Sequence, residues 1–172
     1  MMLLVPIVFS AQHQLVHLRS VLKTRFHTQV NISETEFDPQ PFFDTGRKQY
    51  NSSQIVHQLE KDFSAGASKV LGITQLDLFI PILTFVFGEA RLNGRCAVIS
   101  SYRLDNRIYG LPDNAMLLQE RLFKEAIHEL GHTYGLIHCH NPECVMKSST
   151  YVEEIDYKGD RFCERCLERM GH

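Results

Sequence analysis

The chain has 172 residues, with 18 Lys+Arg against 20 Asp+Glu and a formal net charge of −2. Hydrophobic residues make up 44% and charged residues 22%, the balance of a globular domain rather than a disordered or fibrous chain. At this length one domain is the default, and the near-neutral charge argues against partners held mainly by charge, such as nucleic acid or an anionic membrane. No apolar run approaches the ~20 residues that a membrane span needs.

The first nine residues, Met1 to Phe9, are apolar enough to pass for a short signal-peptide core. They lack a basic segment ahead of the run and a small-x-small cleavage site behind it, so they read as an opening buried strand of a cytoplasmic protein. Leu15, Leu18, Leu22 and Phe26 then recur at helical spacing and predict an amphipathic helix of about four turns. Gln29 to Ile32 reads as a strand. The stretch from Asp38 to Arg47 is rich in breakers and reads as a loop.

Asn51 or Ser52 can cap a second helix that carries Ile55, Val56, Leu59 and Phe63 on one face. Strands are expected at Lys69 to Ile73 and at Ile82 to Phe87, the latter a continuous apolar run as for a strand covered on both faces. Asn93-Gly94 is a strong turn signal, so Cys96 to Ser100 should run antiparallel to its predecessor. From about Asn114 to Tyr134 the positions Leu117, Leu118, Leu122, Phe123, Ile127 and Leu130 mark a long helix.

The chemistry is concentrated at the end of that helix and beyond it. His128-Glu129-Leu130-Gly131-His132 is an H-E-x-x-H match. Two histidines four residues apart lie about 40° apart around a helix, so both imidazoles can reach one ion. Glu129 projects from a neighbouring angle, where it can hold a metal-activated water without being a ligand. The run continues through Gly135 to His138, and a glycine there lets the helix stop and the chain swing back toward the metal. His140 competes with His138 as third ligand on chemistry, while the spacing favours His138. A ligand at Glu153 or Glu154 would need a continuous second helix that Gly135 and Asn141-Pro142 interrupt.

Four of the five cysteines, Cys139, Cys144, Cys163 and Cys166, follow closely. Without an export signal they read as metal thiolates rather than disulfides, and four thiolates are a standard tetrahedral set. A redox Cys163-x-x-Cys166 pair is the rival reading, but it leaves Cys139 and Cys144 unexplained. Cys96 stands apart and reads as a small buried hydrophobe.

The extended H-E-x-x-H-x-x-G-x-x-H run resembles the metzincin metallopeptidases. With Cys139-x4-Cys144-x-Met146 and Cys163-x2-Cys166 the chain is identified as a member of the archaemetzincin family. The resemblance is densest from His128 to Cys166, and the first sixty residues add little to it. It implies two zinc ions per chain: a catalytic one on His128, His132 and His138, and a structural one on the four cysteines. It also implies Glu129 as general base and acid, and Met146 as the Met-turn residue beneath the imidazoles. Ser148 stands two residues beyond Met146, where some metzincins carry a Tyr, and the sequence does not show whether Tyr134, Tyr151 or Tyr157 reaches the site.

The expected fold is α+β and α/β-like: one compact zincin-like domain over 1–172, with a mixed twisted sheet, an antiparallel strand and a long active-site helix. Residues 1–135 would form an N-terminal subdomain, and 136–172 a C-terminal one carrying the Met-turn and a zinc staple. The expected function is zinc-dependent hydrolysis of peptide or protein substrates by a monomer, with no nucleic-acid or membrane partner. The alternative is a peptide-binding module on the same scaffold with little turnover. Substrate would add as a strand along an exposed sheet edge, for which Cys96 to Ser100 is the candidate.

Overall fold

The structure, a computed structural model, describes residues 1–63 and 65–171. Its centre is a five-stranded sheet. The apolar opening segment forms β1 (Met2–Ile7), paired in parallel with β2 (Val30–Ile32) on one side and β5 (Lys69–Thr74) on the other. Pro6, which has no N–H to give, falls beyond the end of β2, where β1 has only β5 beside it. Strand β8 (Cys96–Ser100) continues the parallel set next to β5, and β7 (Gly88–Ala90) closes the sheet antiparallel to β8. The order is thus β2-β1-β5-β8-β7.

Alternation along the strands assigns each residue to one face. Met2, Leu4, Leu71, Ile73, Ala97 and Ile99 face one apolar cluster, together with α1 (Gln12–Arg25) and α3 (Ala115–Thr133). Val5, Ile7, Val70, Cys96 and Val98 face the other, covered by α2 (Ser52–Phe63). This is a helix–sheet–helix sandwich with one antiparallel edge strand, the mixed α+β architecture expected. Cys96 is fully buried, and burial pushes its thiol up to about 11, so it packs as an inert hydrophobe.

The helices begin and end where their caps dictate. Asn51 Oδ1 accepts from the Gln54 N–H at the head of α2, and Asn114 Oδ1 accepts from the Leu117 N–H at the head of α3. At the foot of α3, Gly135 adopts φ +87°, so Gly135 N–H reaches His132 O and Leu136 N–H reaches Gly131 O. That pair of bonds turns the chain back across the helix end. Beyond it lie two short helices, α4 (Val152–Tyr157) and α5 (Glu164–Met170). No helix among the described residues is long and apolar enough to cross a membrane.

Three expectations are corrected. Ile82 to Phe87 is not a buried strand: Leu83 N–H bonds back to Ile80 O in a turn, and Ile82 is 86% exposed. Pro81 at the first central position favours that turn, and the Arg47 guanidinium donates to the carbonyls of Pro81 and Leu83 to hold it. Cys96 to Ser100 is not the sheet edge but an interior strand between β5 and β7, so the edge on that side is Gly88–Ala90. The segment read as a loop also contains structure. There β3 (Phe43–Asp44) pairs with β4 (Gln49–Asn51), just beyond the segment, and β4 with β6 (Leu78–Phe79) in a small second sheet; strands of two or three residues leave no periodicity to read.

Candidate metal centre and cleft

The last two turns of α3 carry His128, Glu129 and His132, and the turn at Gly135 returns His138 toward them. The ring centroids of the three histidines lie 4.7, 5.1 and 5.4 Å apart, and one nitrogen of each falls within 4.8 Å of the others. His140 is exposed and outside this group. Glu153 and Glu154 are outside it as well. Glu154 instead accepts from the backbone N–H groups of Thr150 and Tyr151 and caps α4.

Two of the rings are oriented from behind. His128 Nδ1 lies 2.8 Å from Val145 O and His132 Nδ1 lies 2.7 Å from Leu136 O; a carbonyl can only accept, so both Nδ1 atoms carry the proton. The free Nε2 atoms then face each other at 3.1 Å. Ligands at about 2.05 Å on a tetrahedral ion would stand about 3.3 Å apart, so the spacing suits zinc. Burial lowers the proton affinity of all three imidazoles, and the Lys158 ammonium lowers it further, which keeps the rings neutral.

His138 is held at both ends of its short segment. Leu136, the residue after the turn, is buried, and the Cys139 N–H donates to Met146 O at 2.9 Å. Met146 is fully buried, and its sulfur packs against Gly131 of α3, the residue before His132.

Glu129 is buried beside the cluster, against Gly88 of β7. Its burial, and then the nearby Glu125 carboxylate, push its proton affinity well above the ordinary carboxylate range. A carboxyl group whose proton affinity is raised in this way is suited to accept and return a proton.

Cys139, Cys144, Cys163 and Cys166 form a second group within the same 4.8 Å limit, all as free thiols. The sulfurs of Cys139 and Cys163 are 3.7 Å apart and those of Cys144 and Cys166 are 3.8 Å apart. Disulfide sulfurs sit at about 2.05 Å, whereas four thiolates at about 2.3 Å from a tetrahedral zinc stand about 3.8 Å from one another. The Cys163 N–H also points to the Cys144 sulfur at 3.4 Å. The donor set and its spacing fit a closed zinc site.

In front of the histidines lies a cleft of about 590 Å³. One wall is β7 with the turn region from Ile80 to Phe87; the other is formed by Ile137, His138 and Ser148 to Thr150. No tyrosine lines it among the described residues, and Tyr134 stacks on Phe26 at 5.5 Å instead. The apolar run misread as a strand is thus cleft wall. Glu125 is a lining residue that the motif did not reveal, although its place three residues before His128 on α3 puts it on the same helix face.

The family model described as peptidase family M54 matches residues 12–172. The archaemetzincin of Methanocaldococcus jannaschii is 44% identical over 128 residues, which span 74% of this chain and 69% of that protein. The archaemetzincin of Haloquadratum walsbyi is 38% identical over 152 residues, 86% of each. Among solved structures, the archaemetzincin of Archaeoglobus fulgidus superposes with a TM-score of 0.85 at 33% identity, covering 98% of both chains. That of Methanopyrus kandleri gives 0.85 at 32% identity, over 99% of this chain and 93% of the other. The sandwich, the convergent histidines and these matches agree, and the chain belongs to peptidase family M54 as a zinc metallopeptidase.

Proposed function

We propose that His128, His132 and His138 hold the catalytic zinc, that Glu129 moves the proton, and that Cys139, Cys144, Cys163 and Cys166 hold a second, structural zinc. The observation that carries this reading is the convergence of three neutral imidazoles beside a buried carboxylate at the floor of an open cleft. A zinc ion in such a site supplies an electrophile for the scissile carbonyl and lowers the pKa of the attacking water.

The chain's own residues do the rest. Val145 O and Leu136 O fix the ring orientations of His128 and His132. Met146 supports the floor beneath them. Glu129 accepts the proton of the attacking water and returns it to the leaving amine. Among the described residues β7 pairs only with β8, so its outer side offers an edge along which an extended peptide can pair in the cleft. Peptide or protein chains are the substrates.

The test is Glu129→Gln in protein that stays folded. Metal analysis should find two zinc ions per chain in both forms, because the substituted residue is not a ligand. Hydrolysis of a peptide found by library screening should fall by roughly 10²- to 10⁴-fold. Equal turnover by wild type and variant would overturn the role of Glu129.

A further inference from the structure

Glu125, in the lining of the cleft, belongs to an ion pair that the proposed mechanism does not use. Glu125 sits on α3 and Lys158 follows the end of α4; Lys158 Nζ donates to Glu125 Oε1 at 2.8 Å and to Lys147 O at 3.3 Å. Their side chains are only 4% and 1% exposed. Burying two charges is costly, and an apolar pair of the same volume would serve packing as well or better. The second carboxylate oxygen, Glu125 Oε2, accepts no hydrogen bond from the described residues, yet Glu125 lines the cleft. In the lining of the same cleft, Ser149 Oγ is the one buried side-chain oxygen without a partner among the described residues. Much of the remaining cleft lining is apolar, with Leu83, Phe85 and Ile137 in it.

We propose that Glu125, held in place by Lys158, is a specificity-determining residue, and that it selects a substrate side chain ending in a neutral hydrogen-bond donor, of glutamine type. This rests on the catalytic reading above. An apolar side chain would strip water from Oε2 and leave it unpaired, which is the penalty that makes sites built for hydrogen bonds selective. An acidic side chain would meet the carboxylates of Glu125 and Glu129. A cationic one would be set against the buried Lys158 ammonium, which already holds Glu125 at 2.8 Å. A carboxamide N–H meets Oε2 without either cost.

The test uses four hydroxamates that chelate zinc and differ only in the adjacent side chain: glutamine, methionine, glutamate and lysine, all of similar length. Each is titrated calorimetrically into the zinc-loaded protein, so the readout is affinity and needs no turnover. The glutamine compound should bind roughly tenfold or more tightly than the methionine compound, with glutamate weakest. In Glu125→Gln the amide oxygen can keep the Lys158 contact and turn an N–H toward the cleft, so the glutamate compound should become the tightest binder. If that variant does not fold, Glu125→Met with Lys158→Met removes both charges together, and the order should move to methionine first.

Equal affinities in the wild type, or a preference for methionine, overturn the proposal. So does an unchanged order in a folded variant. If no compound binds although the protein carries its zinc, the reading of the three histidines as an open catalytic site fails, and the specificity proposal falls with it.

Discussion

Gly131 and Met146 meet where no side chain fits: a Cβ at position 131 would lie 2.5 Å from the Met146 sulfur and 3.0 Å from a ring carbon of Phe162. The missing methyl lets the methionine pack against α3 within the stretch that carries His128, three residues before the glycine, and His132, one residue after it. Gly131→Ala should therefore push Met146 away from the helix. Overpacking costs about 1–3 kcal/mol, against a gain of up to about 1 kcal/mol in helix propensity. A lowered Tm and weaker zinc retention by the histidines in a chelator competition are expected. A variant with unchanged zinc affinity would show that Met146 does not support the imidazoles.

Gly88 plays the matching part on the other wall. A Cβ there would lie 2.7 Å from Glu129 Cγ and 2.8 Å from Val98 O, and the backbone cannot yield as a side chain can. Gly88→Ala should displace the Glu129 carboxylate while leaving the three histidines in place. Turnover should fall by at least tenfold with zinc content unchanged, since displacements of about 1 Å carry large rate penalties. Wild-type kinetics in this variant would separate Glu129 from the proton transfer.

The helix and its converging histidines are legible because several signals coincide there. Asn114 caps, Leu122 to Leu130 give the period, and Gly135 supplies the one backbone conformation that sends His138 back. The cleft was not legible. A run such as Ile82 to Phe87 records a need for apolar surroundings, but a cleft wall and a core satisfy it alike, and only Pro81 hinted at the turn. The edge strand Gly88–Ala90 is too short for a period of two. Lys158 meets Glu125 only because α4 docks on α3, a contact between distant segments for which neither position carries a local mark.

The buried titratable groups make opposing contributions to pH stability in the metal-free chain. Burial holds the folded-state pKa of His128 and His132 below the ordinary value of about 6.5. Below that pH the unfolded chain binds more protons than the folded one, so stability falls as pH drops toward the folded-state values. Glu129 acts in the other direction. Its folded-state pKa is raised, so its contribution is present at low pH and is lost as pH rises through that value. Glu129→Gln removes the second effect alone. The metal-free variant should lose Tm more steeply between pH 7 and 5 than the metal-free wild type, as measured by calorimetry. A shallower slope in the variant would contradict the assigned directions.

His138 and Cys139 are consecutive yet are assigned to different zinc ions, so the two proposed metal sites share one backbone. Adjacent Cα atoms stand about 3.8 Å apart, and with the reach of an imidazole, a thiolate and their zinc bonds the two ions must lie within about 14 Å. The backbone between them is already shared. Cys139 N–H donates to Met146 O, Val145 N–H donates to Arg161 O at 2.8 Å, and Val145 O in turn orients His128. Releasing the sulfurs would loosen the segment from Cys139 to Met146, which follows His138, orients His128 and carries the Met146 sulfur. Mutating Cys163 and Cys166 to Ser should abolish one zinc and also weaken the other by roughly 10- to 100-fold, the range seen when the partners of metal ligands are lost. Metal analysis with a chelator series reads both numbers in one experiment. Loss of one ion with the affinity of the other unchanged would refute the coupling, and a measured separation well beyond 14 Å would overturn the division of ligands.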